Sequence, residues 1–253
     1  MNSLAVSFVV FSLVFSGALV GIVLRRALPQ EHLGEDAKDT MRLAIGLVAA
    51  MTGLVLGMLV SSAKTYYDGQ RSKVAEMSTE VILLDNALAI FGHDSEPLRV
   101  EIRQSVGDAV DRIWPKEKSR LSELRPKSND DVLNAQMQLL IPKNDEQVYA
   151  KTQVALLMQS LRKSYWLMFL ESEQATIPIP LLAVVTLWLV TIFISFGIFA
   201  PKNATVMATL VICALSVSGA IFVILEMYSP FSGVLRISST AVRDAMDQLA
   251  RIR

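Results

Sequence analysis

The chain has 253 residues, 52% of them apolar, and its 24 basic and 24 acidic side chains cancel to zero formal charge. That balance of composition is foreign to a small water-soluble enzyme and fits a membrane protein carrying a soluble part. The neutral charge gives no electrostatic footprint for nucleic acid, and a single cysteine, Cys213, inside an apolar run rules out a disulfide framework.

Four apolar runs, Leu4–Leu24, Leu43–Ala63, Ile177–Ala200 and Ala204–Leu225, reach the roughly 20 residues a helix needs to cross a bilayer core. The first is read as a helix retained in the mature protein. No basic residue precedes its apolar stretch, and "RRALPQ" follows where small cleavage residues would be needed. A charged connector, "RRALPQEHLGEDAKDTM", joins spans one and two. The tight "PKN" makes spans three and four an antiparallel hairpin.

Between the pairs, residues 64–176 read as soluble helices. Val74, Met77, Val81, Leu84, Leu88 and Phe91 alternate three and four apart, and no breaker separates them from Ala63. Span two is therefore expected to run on into this helix and to stop at Gly92. "HDSEPL" predicts a second helix, with Asp94 or Ser95 as cap and Pro97 in its first turn, running to "WPKEK". A short third helix follows "KSNDD" and stops at Pro142. A long fourth, capped by "KNDEQ", keeps heptad spacing through Val154, Leu157, Leu161 and Met168 and leads to span three. Core packing in a helical bundle accounts for both stripes more simply than a coiled-coil partner does. The expected fold is all-α: four transmembrane helices with a helical bundle between spans two and three. The divisions are residues 1–63, 64–176, 177–226 and a C-terminal segment, 227–253.

Catalytic signatures are missing. "SSAK" and "SLRK" fit Ser-x-x-Lys without the companion motifs of that enzyme class. His32 and His93 stand far apart with no ligand-spaced neighbour, so neither a metal nor any other cofactor is expected. The informative pattern lies on span two, where Gly46, Ala49, Ala50, Gly53, Gly57 and Ser61 share one side. Gly17 and Gly21 make a smaller such pair in span one. Small residues let helices approach closely in lipid; they also leave room for ions if the stripe lines an axis. Arg42 and Lys64 bracket span two. Asp39 is three residues before Arg42 and Asp68 four after Lys64, close enough to pair with them on one helix face. Glu226 closes span four, where an ionisable group is either an anchor or a functional candidate.

"SSAKTYYDGQ" after span two, "EMYSPFSGVLRIS" after span four, "HLGEDAKDTMRLAIGLVAAMTGLVLG" and "SFGIFAPKNAT" resemble the bestrophin-like family of bacterial membrane proteins. The resemblance covers nearly the whole chain. More distantly, Tyr67–Asp68 and Pro230–Phe231 with Gly233 resemble true bestrophins. Those are pentameric anion channels with four spans per subunit, a cytoplasmic helical region and a pore lined by span two. The resemblance implies a homo-oligomer in membrane lipid, a pentamer if it follows the true bestrophins, that passes small inorganic ions, with both termini and residues 64–176 in the cytoplasm. It puts Gly46, Ala50, Gly53, Gly57 and Ser61 on the pore and Arg42, Lys64 and Asp68 at its mouths. Asp39, Tyr67, Glu226, Pro230, Phe231 and Gly233 are the family-motif positions.

Two departures matter. The pore face carries no bulky apolar residue able to form a constriction. "SPFSGVLRISS" holds no acidic residue, so calcium control is not expected. Basic residues near the span ends number six on the side of the middle region and five on the other, so charge alone does not orient the chain. Two functions are expected from different classes. One is an oligomeric, anion-conducting channel; the other is a membrane-anchored helical interaction or sensing module without transport.

Overall fold

The structure is a computed structural model that describes every residue except 1, 30–33, 116–124, 126–129, 175–178, 202, 252 and 253. The described residues form eight α-helices and no strand: α1 Ser3–Ala27, α2 Glu35–Ala89, α3 Glu96–Ile113, α4 Asp130–Leu139, α5 Asp145–Gln174, α6 Ile179–Phe199, α7 Ala204–Met227 and α8 Thr240–Arg251. Four of them are long and apolar enough to cross a membrane: α1, α2, α6 and α7. The expected extension of the second soluble helix through residues 116–118 and the first two residues of span three, 177 and 178, lie outside the described residues.

The expected run-on of span two is present. Helix α2 continues for 55 residues without a break, through Gly69. It stops where the sequence places the stop, because Gly92 adopts φ 58°, a left-handed conformation that suits glycine. Pro97 sits in the first turn of α3 as expected, and Ser95 holds the N-cap position without a side-chain capping bond. Its hydroxyl instead donates to the carbonyls of Leu88 and Gly92, both at 2.8 Å. Ser95 thus ties the end of α2 and the turn after it together rather than capping orphan amides at the start of α3.

The chain divides into two compact units, residues 1–66 with 176–228 and residues 67–175 with 229–253. In the first, α1 packs against both α6 and α7. Val10, Val14 and Ala18 of α1 meet Val185 and Leu189 of α6 and Ala214 and Ile221 of α7 in one buried cluster. The closest approach is made by glycines. A Cβ on Gly21 would stand within 3.0 Å of the Ile194 carbonyl, and one on Gly197 within 3.0 Å of the Ala18 carbonyl, so no side chain fits at either place. Buried hydroxyls in these spans turn back on their own helix. Ser7 donates to Ser3 O at 2.9 Å, Thr52 to Val48 O at 2.7 Å and Ser218 to Ala214 O at 2.7 Å. In a bilayer core no water is available to take that role.

The second unit is built on the two heptad stripes. Leu84, Leu88 and Phe91 of the α2 stripe bury against Leu98 and Ile102 of α3 and Val154 and Met158 of α5. Val74, Val110, Trp114 and Met168 form a neighbouring cluster with Phe231, Ile237 and Val242 from the C-terminal segment. A buried ion pair ties α2 to α3, where Arg99 Nε donates to Asp85 Oδ1 at 2.7 Å. Helix α8 was not foreseen. It is amphipathic, with Val242 and Ala245 on its buried side.

Candidate pore face and mouth residues

Helix α2 shows three faces along its membrane-crossing stretch. Thr52, Leu59 and Ala63 are buried, and Ile45, Val48, Val55 and Leu56 pack beside them on the core of the first unit. These positions recur every three or four residues, so they form one stripe. The residues of the candidate pore, Gly46, Ala50, Gly53, Gly57 and Ser61, are all exposed on another side. A Cβ added at Gly46, Gly53 or Gly57 would meet nothing within 4 Å. The third side carries Leu47, Met51, Leu54 and Met58, with Leu47, Leu54 and Met58 each about two-thirds exposed at 65%, 69% and 66%. The glycine stripe of α2 is therefore not used to pack this chain's own helices. That work falls to Gly17 and Gly21 on α1 and to Gly197 on α6.

At one end of this stretch Arg42 pairs with Asp39, Nη1 to Oδ1 at 3.2 Å, both side chains largely exposed. The pairing anticipated from their spacing is made, and in water it contributes only a few tenths of a kcal/mol, ~0.3–0.5. At the other end Lys64 is exposed, and beyond it Asp68 is exposed on the same helix. Between them Tyr66 stacks on Tyr228, ring centroids 5.8 Å apart, and the Tyr228 hydroxyl shares a hydrogen bond of 3.1 Å with Ser62. Glu226, at the end of α7, is buried.

The remaining motif positions build a turn and a core. After α7, Ile237 N donates to Pro230 O at 2.7 Å and Ser232 N to Ser229 O at 3.1 Å, closing the segment on itself. Gly233 has φ 87°, a conformation that other residues adopt only with strain. Phe231 is 4% exposed and meets Trp114 edge-on at 5.7 Å, while Trp114 Nε1 donates to Ile237 O at 2.8 Å. Tyr67 packs at the edge of the same cluster. These residues act by packing, which explains why a Pro–Phe–x–Gly pattern sits here.

Four apolar helices of spanning length make this an integral membrane protein of the helical class. The bestrophin-like domain family matches residues 12–242, and the chain belongs to that family, which suggests a channel-like role. No curated protein and no solved structure matches the chain.

Proposed function

We propose that this protein is an oligomeric ion channel in which α2 lines the axis and small anions pass. The observation that carries the reading is the uncovered stripe Gly46, Ala50, Gly53, Gly57 and Ser61, free of intrachain contact at all three glycines. A helix face of small residues against lipid gains nothing, whereas around an axis it leaves a passage. The bulky side of α2, Leu47 with Leu54 and Met58, supports the same assembly. In a ring of copies, the large side chains of one α2 meet the small ones of its neighbour, a head-to-tail contact that closes on itself.

Anion preference follows from the mouths, because the stripe has hydroxyl and backbone polarity but no fixed charge. Lys64, repeated around the axis, places a ring of positive charge at one end, opposed by Asp68 four residues on along the same helix. Arg42 contributes less at the other, since Asp39 is 3.2 Å from it. The family resemblance supports a pentamer in a bacterial inner membrane, with termini and residues 64–176 cytoplasmic.

Flux in liposomes tests this directly. Chloride should pass more readily than potassium through the wild type, and Lys64→Glu should reduce or reverse the preference. No flux, or a preference that charge reversal leaves unaltered, replaces this reading with a membrane-anchored sensing module. One feature favours that second reading: the pocket within the helical unit.

A further inference from the structure

The second unit contains a pocket of about 180 Å³ between α2, α3 and α5. That is comparable to the roughly 150 Å³ cavity that takes up benzene in a protein core. Val81, Leu84, Val106 and Leu161 supply apolar wall, and Trp114 and Trp166 also line it. Two guanidinium side chains, Arg112 and Arg162, line it as well, and no described lining residue is acidic. Two lining polar atoms, Ser105 Oγ and Arg112 Nη1, are shut off from solvent with no hydrogen-bond partner among the described residues. Arg112 is held by its other edge, where Nε donates to Asp108 O at 3.1 Å.

A purely structural void does not explain this combination. Empty protein cavities are apolar, and a cavity that holds water offers each molecule two to four polar partners. Here two guanidinium groups and the hydroxyls of Ser105 and Tyr165 share a space whose wall is mostly hydrocarbon, with no carboxylate among the described lining residues. A donor without a partner is costly when buried, and a carboxylate satisfies a guanidinium better than a neutral acceptor does. We propose that this pocket binds a small amphipathic carboxylate, its anionic head on Arg112 and Ser105 and its short alkyl or aryl tail against Val81, Val106 and Leu161. The site belongs to the second unit and the α2 stripe to the first, and occupancy of the site does not depend on whether the protein conducts.

The test uses the full chain in lipid nanodiscs with Trp188→Phe, which leaves Trp114 and Trp166 as the only tryptophans. Quenching of their fluorescence is followed as 8-bromooctanoate is added, with 8-bromooctan-1-ol as the neutral counterpart. Saturable quenching is expected, with the acid binding about tenfold more tightly than the alcohol. Arg112→Gln with Arg162→Gln should erase that difference, whereas Arg112→Lys with Arg162→Lys should keep most of it. Val106→Phe, which fills the space, should abolish quenching by both ligands. The acid–alcohol comparison needs no change in the pocket and stands even if a variant fails to fold. Absence of saturable quenching, equal affinity for acid and alcohol, or a difference that survives the glutamine pair overturns the proposal.

Discussion

Arg99 and Asp85 face each other across α3 and α2, Nε to Oδ1 at 2.7 Å, with side chains only 8% and 4% exposed. Removing one partner leaves the other charged, buried and unsatisfied, so Asp85→Ala should destabilise the helical unit by about 3–5 kcal/mol. Replacing both, as Asp85→Leu with Arg99→Met, should recover most of that loss. Denaturant unfolding of Asp85→Leu, Arg99→Met and their double variant, followed by circular dichroism, checks the non-additivity. A loss in the double variant equal to the sum of the two single losses would mean that the pair does not interact.

The glycines of α1 and α6 and those of α2 should respond to the same substitution in opposite ways. Gly197→Leu drives a side chain into the Ala18 carbonyl, where nothing can yield except backbone, and should cost at least about 3 kcal/mol of stability. A Cβ at Gly57 meets nothing within 4 Å among the described residues, so Gly57→Leu should leave the subunit folded. Its effect should appear in oligomer size, measured in detergent by light scattering. An unchanged size would place that stripe against lipid.

Phe231 should matter for stability rather than conduction. Phe231→Ala opens a hole beside Trp114, with an expected cost of about 3–5 kcal/mol. Gly233→Ala should cost about 1–2 kcal/mol, from the strain of its φ of 87° alone. Thermal unfolding monitored by tryptophan fluorescence would register both.

Lys143 holds the Asp94 carboxyl below its ordinary value, first by a hydrogen bond and then by its charge. A lowered folded pKa means that the pair stabilises above the ordinary carboxylate range and that the contribution fades as pH falls through the folded value. Both groups are exposed, so the effect on stability should be small. Lys143→Met should return Asp94 to the usual carboxylate range in a carbon-13 NMR titration. An unmoved titration would assign the shift to another group.

Orientation is testable with one new thiol. In a Cys213→Ala background, Gln138→Cys on α4 should resist an impermeant thiol reagent in intact cells and react after lysis. Labelling in intact cells would invert the proposed topology and give Arg25 and Arg26 the deciding weight.

Much of the helical layout was legible because each element carries its own periodic signal. The four spans, the unbroken α2, its stop at Gly92 and the heptad stripes around Leu84 and Val154 all belong to this kind. What escaped reading is pairing between elements. Asp85 and Arg99 lie 14 residues apart on different helices, and nothing in a linear pattern says that they meet. Gly197 had no small neighbour four residues away to mark it, yet it sits at the tightest crossing in the first unit. Helix α8 did leave a trace, since Val242, Ala245 and Met246 keep helical spacing, but 12 residues without an apolar run gave it little weight. The candidate pore face was visible as a stripe; that its glycines face open space among the described residues was not.

Gly21 and Gly197 have one more consequence. Each presents a Cα hydrogen where a side chain would stand, and each of these points at a carbonyl of the opposite helix, Ile194 for Gly21 and Ala18 for Gly197. That arrangement suits reciprocal Cα–H···O contacts across the crossing, a kind of contact that contributes about 0.5–1 kcal/mol. Lipid tails compete with hydrocarbon packing between helices, because they are just as apolar, but they offer no acceptor to a Cα hydrogen. The hold of α1 on α6 therefore rests on a close backbone approach that lipid tails cannot reproduce.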